Sequence, residues 1–319
     1  MPTARLEHLP VTLFSTVMGI AGLSLAWRRA AHTWEVPEWP AQLLFWVAAA
    51  VFVLIAALYA SKWVKHPRAA RAELHHPIRM TFAPTITIAL LLLATAAQDL
   101  LPALASTLWW VGAVGHLVAT VVVMSAWFAR SDIGVDQMTP AWFIPVVGNL
   151  VTPLAAPTIG SVELGWFAFG AGLVLWIALL PLLLQRVLIH ERVLPVKLLP
   201  TLAIFLAPPA VAMLSWQSLT GDADGPFPRI LYATAMVFTA FLLAQFARLH
   251  RVPFALPYWA YTFPMAAATT AAISMAAARS QTAYDVVALA LLAGTTVLAV
   301  LVSALTVRAA ARGQICVPE

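Results

Sequence analysis

Apolar residues in this chain fall in long runs, and polar residues gather in the short connections between them. The runs from Gln42 to Ser61 and from Val287 to Val307 hold no charged residue. A helix rises about 1.5 Å per residue, so about 20 residues cross a hydrocarbon core about 30 Å thick. Ten such runs can be marked, at roughly 8–27, 41–62, 80–98, 104–128, 141–158, 162–188, 198–216, 229–247, 255–277 and 284–310. Each is expected to be helical, because a backbone facing lipid has to satisfy its own hydrogen bonds. The longest polar connection, Lys62 to Arg79, is too short for a soluble domain, so residues 1–319 read as one transmembrane domain. Apolar runs recur along the whole length, which argues against a cleaved secretory signal.

Prolines divide the ten runs into two classes. Every odd-numbered run starts near a proline: Pro10, Pro77, Pro140, Pro200 and Pro257. Four of these carry another farther in, namely Pro84, Pro145 with Pro153, Pro208 with Pro209, and Pro264, and the first has Gly19 instead. Even-numbered runs are free of internal proline apart from Pro181. An internal proline removes a backbone hydrogen bond and kinks a helix. Such a break is tolerated where the freed carbonyl meets protein or a water-filled cavity. Prolines are also simply common in membrane helices. Their placement on alternate helices favours five helical hairpins, with five kinked helices lining a central pore and five straighter ones surrounding them. Pro84, Pro145, Pro208 and Pro264 are the expected kinks.

Charge fixes an orientation. Fourteen of the eighteen Lys and Arg residues lie at the termini or in the even-numbered connections, on one side. The positive-inside rule then places both termini in the cytoplasm of a multi-pass protein of the plasma (inner) membrane. Arg28 and Arg29, in the first connection, are the discordant pair. Composition agrees: 62% of residues are hydrophobic and 10% charged, against about 25% charged in a soluble domain. The net charge of +5 would raise nucleic-acid binding in a soluble protein, but topology already explains it here. One cysteine, Cys316, allows no intramolecular disulfide and no cysteine-based metal cluster. There is no Walker-type phosphate loop and no HExxH, and His, Asp and Glu are scattered. No cofactor, metal or enzymatic activity is expected, and no nucleic-acid partner.

Three stretches carry a resemblance. They are His76-Pro77-Ile78-Arg79 with Phe82-Ala83-Pro84, then Val146-Val147-Gly148-Asn149, and Ala207-Pro208-Pro209-Ala210 with Tyr261-Thr262-Phe263-Pro264-Met265. Together, and in this order on the third, fifth, seventh and ninth runs, they resemble the tellurite-resistance/dicarboxylate transporter family, which includes the plant guard-cell slow anion channels. The resemblance covers nearly the whole chain. It implies a homotrimer in the lipid bilayer with one pore per protomer, lined by five inner helices. It implies small inorganic anions as the transported partners, such as chloride and nitrate, with dicarboxylate, sulfite or tellurite-type oxyanions as the alternative. It also implies a phenylalanine plug in the ninth helix, which falls on Phe263.

The residues can be weighed beside that resemblance. By itself Phe263 is one Phe among fifteen and reads as packing. Next to Pro264, its ring would form an apolar constriction of the kind that gates by dewetting. Thr16, Thr85, Asn149, Ser215 and Thr262 are the small polar residues expected to line the pore, within a wider set that adds Thr12, Ser15, Thr81, Thr87, Thr152, Thr269 and Thr270. Alternatively, such hydroxyls bond their own helix carbonyls. His76 and Arg79 would sit at the cytoplasmic mouth, where a cation concentrates anions, and Lys62, Lys65, Arg68 and Arg71 would add to that field. His116, deep in the fourth run, is either a proton carrier or a neutral imidazole bonded between helices. Gly221 to Gly225 reads as an external turn. The inner helices lack an obvious charged pair of the sort a carrier uses. That favours a passive channel over a proton-coupled carrier or exporter.

Overall fold

The computed structural model describes residues 3–131, 133–189 and 194–317, and its regular structure there is helical with no strand. Arg192, one of the fourteen cations counted above, lies outside the described residues. Among the described residues, eight helices are long and apolar enough to cross a membrane. They are α1 (Val11–Trp34), α2 (Trp39–Lys65), α3 (Arg79–Ala97), α4 (Pro102–Ala129), α6 (Val162–Leu188), α7 (Val196–Thr220), α8 (Pro226–Ala244) and α10 (Thr282–Ala311). Two further segments fill the remaining places in the order. One is the shorter apolar α5 (Pro140–Leu154). The other is α9, a 3-10 stretch Leu256–Tyr261 continuing into the α-helix Thr262–Arg279. The α-helical part of α9 is rich in Ala, Thr, Ser and Met, small or adaptable side chains suited to close packing rather than to lipid.

Burial separates odd helices from even ones. In α1, α3 and α7 the apolar windows are 72, 78 and 83% buried, whereas those of α2, α4, α6, α8 and α10 are buried by 22 to 33%. α5 and the α-helical part of α9 are also buried along most of their length. Each odd helix packs on the even helix after it, making five hairpins. The odd helices also touch one another in the order α1, α3, α5, α7, α9 and back to α1, which closes a ring. Each even helix leans on the next odd helix as well, so an outer layer seals the seams of the inner one. Because every odd helix is the first arm of its hairpin, the five inner helices run parallel.

The inner helices are not simply kinked. Each opens as a 3-10 helix: Val11–Leu13 in α1, Arg79–Phe82 in α3, Pro140–Trp142 in α5, Val196–Leu206 in α7 and Leu256–Tyr261 in α9. Regular α-helix begins at Phe14, Thr85, Phe143, Ala207 and Thr262. Pro84, Pro145, Pro208 and Pro264 therefore lie at the junction or within the first turn of the α part, where a proline costs no helical hydrogen bond. Side-chain hydroxyls report the same change of winding. Thr16, Thr81, Thr85, Thr201 and Thr262 donate to the carbonyl three residues back. In the α-helical parts Thr95, Thr269 and Thr270 reach four residues back. In α5 the chain returns to 3-10 winding over Gly148–Leu154. The even helices are α-helical from end to end.

Two connections differ from the sequence expectation. The polar stretch after α2 holds an amphipathic helix, Pro67–His75. Its Glu73 is buried and accepts from Lys62 Nζ at 2.8 Å, the Tyr59 hydroxyl at 3.1 Å and the Val11 amide at 2.7 Å. Lys62 also donates to the Leu9 carbonyl at 2.7 Å. Lys62 is thus not part of a solvated basic field. It is neutralised in the interior and fastens this helix to the start of α1. The other difference lies at the far end of α1, expected to stop near residue 27. It continues to Trp34 and ends at Glu35 in the left-handed region (φ 53°), so Arg28 and Arg29 belong to a helix and not to a loop.

Candidate functional site

Two cavities among the described residues lie within the ring, and each inner helix contributes to the walls of both. On α1 the lining face is Thr12, Ser15, Met18, Gly22, Leu25, Arg29 and His32, with Arg28 at its edge. The steps of three and four residues are those of a single helical stripe. On α9 the same stripe holds Pro257, Ala260, Phe263, Ala267, Thr270 and Ser274, with Trp259 and Pro264 beside it. The first cavity, about 60 Å³, lies among the 3-10 starts of the helices and is bounded mostly by carbon, including Phe82, Phe143, Val147, Ile204 and Phe263. The second, about 440 Å³, lies among the C-terminal halves and is lined by Arg28, Arg29, His32, Gln98 and Gln217 besides apolar groups. Phe263 and Val211 border both cavities, so the aromatic ring stands on the partition between a narrow apolar chamber and a wide basic one.

Phe263 is held from behind. A Cβ placed on Gly22 of α1 would lie 3.1 Å from the Phe263 ring and 3.2 Å from Ala266. The missing side chains at Gly22 and Gly19 leave room for α9 to approach α1, and Gly22 is the one that meets the Phe263 ring.

The expected polar lining is only partly on the lumen. Thr85 borders the narrow chamber, as do Thr12 and Ser15. Asn149 faces outward, its amide nitrogen donating to Thr120 Oγ1 and the Val146 carbonyl, both at 2.9 Å. Ser215 donates to the Leu150 carbonyl. Thr16 and Thr262 are buried against the Leu13 and Trp259 carbonyls, at 2.7 and 2.8 Å. None of these four borders either cavity. Even Thr85 and Ser15 give their protons to helix carbonyls, those of Phe82 and Thr12, so they present oxygen lone pairs rather than donors. Of the four expected kink prolines, Pro264 lines the narrow chamber, whereas Pro84, Pro145 and Pro208 border neither cavity. At the terminus-bearing end, exposed His76 caps the start of α3, its Nδ1 accepting from the Ile78 and Arg79 amides at 3.2 and 3.3 Å.

His116 is fully buried on α4 between α3 and α5 and borders neither cavity. Thr87 gives its proton to the Pro84 carbonyl, so its 2.8 Å contact with His116 Nδ1 is a bond that the imidazole donates. Nε2 lies buried without a hydrogen-bond partner, an arrangement that fits a neutral ring packed between helices. The segment from Gly221 to Gly225 is a closed turn. Asp222 accepts from the Gly225 amide and from Trp216, and Asp224 accepts from Arg279 at 3.1 Å and Arg229 at 3.3 Å.

Sequence reasoning missed the basic lining of the wide chamber. Arg28, Arg29 and His32 had been assigned to a connection. The signal was present nonetheless, because Arg28 and Arg29 broke the loop-charge rule. Arg28 pairs with Asp99 of the connection after α3 and donates to the Thr95 carbonyl at 3.0 Å, tying α1 to α3 beside the lumen.

Comparison with known proteins agrees with this architecture. Residues 8–307 match the family model described as voltage-dependent anion channel. An uncharacterized transporter of Methanocaldococcus jannaschii is 28% identical over 82% of this chain and 82% of its own. The tellurite resistance protein TehA homolog of Haemophilus influenzae is 28% identical over 83% of this chain and 80% of its own. The S-type anion channel SLAH3 of Arabidopsis thaliana is 29% identical over 90% of this chain but 46% of the plant protein. A ring of parallel helices around a lumen with a basic chamber, and a family match along nearly the whole chain, lead to one assignment: the protein belongs to the voltage-dependent anion channel family and is a multi-pass membrane anion channel or transporter.

Proposed function

We propose that the chain is a passive channel for small monovalent anions such as chloride and nitrate, with one pore in each protomer of a homotrimer and Phe263 as the gate. The observation that carries this reading is that Phe263 borders both chambers of the one lumen. With the ring in place, the narrow chamber is walled almost wholly by carbon, and an apolar constriction of that size resists wetting. The five parallel inner helices place their partly positive N-terminal ends around that chamber. Arg29, and Arg28 in its pair with Asp99, bring guanidinium groups to the other. Both features favour an anion over a cation without a tight binding site, as conduction requires.

In this reading α1 to α10 all cross the bilayer, with both termini cytoplasmic and the wide chamber opening to the outside. The proton-coupled carrier is the weaker alternative, since His116 faces the helix interface rather than the lumen. In proteoliposomes under an imposed potential, Phe263→Ala is expected to raise chloride and nitrate flux by about tenfold or more, the change that removing about 1.4 kcal/mol of barrier produces. Flux equal to wild type would sink the gate. Flux that stops when a pH gradient is collapsed would establish the carrier instead.

A further inference from the structure

We propose that the wide chamber holds a recognition site for small oxyanions centred on Arg29. The proposal rests on the pore reading above, because it puts this site on the same path. Two adjacent arginines line the chamber, and they are not equivalent. Arg28 is neutralised by Asp99 and hydrogen-bonded to the Thr95 carbonyl. Arg29, half-buried in the lumen-facing stripe of α1, makes no hydrogen bond or ion pair to any described residue. Its Nε–H is buried without an acceptor. A buried donor attached to a group that stays charged is costly to leave unmatched.

The surroundings decide what would match it. The nearby hydroxyls of Thr95 and Thr270 already donate to the Leu91 and Ala266 carbonyls. Gln98 receives the Thr158 hydroxyl on its carbonyl oxygen, which leaves its amide nitrogen as a second donor at the chamber wall. His32 stands one turn beyond Arg29, with Nε2 3.9 Å from Glu38. Arg29 and Gln98 thus supply donors in a chamber of about 440 Å³, roomy enough for an anion of several atoms. A guanidinium fork matches two oxygens of one planar group, as in nitrate or a carboxylate, with two parallel bonds, whereas a halide offers it only a point. The class of ligand is therefore an oxyanion with two oxygens in one plane, held before the Phe263 partition.

The test uses the purified full-length protein and measures the rise in melting temperature on titration with nitrate, malonate or chloride at constant ionic strength. Wild type is expected to be half-saturated by nitrate or malonate at a concentration about tenfold below that for chloride, with the preference lost in Arg29→Lys, which keeps the charge but not the fork. Arg29→Gln is expected to respond to none of the three. The proposal is overturned if wild type shows no preference, or if Arg29→Lys keeps it. Flux separates the two levels of the argument. Conducting Phe263→Ala liposomes alongside an Arg29-independent anion response would refute the site and leave the pore. An Arg29-dependent preference in a protein that conducts nothing would support the site and remove the pore.

Discussion

Gly22 and Phe263 form a pair in which one residue has no side chain because the other needs the room. A methyl at position 22 would press on the ring at 3.1 Å, closer than comfortable carbon contact. Gly22→Ala is expected to push the ring off α1 into the lumen and lower conductance severalfold, and to have no such effect on a Phe263→Ala background. A double-mutant cycle on single-channel currents measures that coupling. Phe263 itself was legible because it sits in a recognisable string, Tyr261-Thr262-Phe263-Pro264. Asn149, Ser215 and Thr262 were misplaced for a physical reason. Choosing lumen-facing residues requires counting around a helix, and the count changes from three residues per turn to 3.6 at each 3-10 to α junction. Residue type gave no warning of that change. Arg29 was hidden differently: its charge was visible, but a charge at the end of an apolar run looks like the end of the helix.

Among the elements, the helix Pro67–His75 is fastened to α1 and α2 through Glu73. Lys62 and Glu73 are both about 4% exposed at the side chain, and removing one leaves the other charged in the interior. Glu73→Ala is expected to cost about 3–5 kcal/mol, seen as a lower melting temperature in detergent, whereas the apolar double replacement Lys62→Met with Glu73→Leu recovers most of it. The nine residues lay among charges that the loop-charge rule had already explained, so their amphipathic pattern went unread. At the opposite end, the turn between α7 and α8 carries a pH dependence. The hydrogen bond from Arg279, helped by Arg229, holds the Asp224 carboxyl below its usual range. A carboxyl with a depressed folded value contributes stability above its unfolded value and loses it as pH falls through the folded one. Melting temperature is therefore expected to drop below about pH 4, and that part of the drop should disappear in Asp224→Asn. The alternation of proline-rich and proline-poor runs made the inner and outer helices legible before any coordinates. The long 3-10 stretch Val196–Leu206 was not legible, because Pro200 within it reads equally well as the start of an α-helix.

The whole molecule is a five-fold ring of hairpins wrapped by exposed apolar faces, including Val53 and Leu54 on α2, Val121 and Val122 on α4 and Val300 and Leu301 on α10. Lipid and neighbouring copies are the natural cover for such faces. Native mass spectrometry of the detergent complex is expected to give three times the 34.3 kDa chain mass, and a monomer would overturn the trimer. Since the lumen runs through the ring of a single chain, one Phe263→Ala subunit in the proposed trimer should conduct unaided. The closure of α9 onto α1 also bears on how the protein is made. The first and last hairpins are zipped by bonds such as Trp27 to Thr296 and Trp34 to Asp285, between residues separated by most of the gene. A chain that ends before the ninth helix lacks the partner that packs on α1 and cannot close the ring. Membrane insertion of this protein is thus a race to complete a circle, and chains stalled before α9 are the species that quality-control proteases should find exposed.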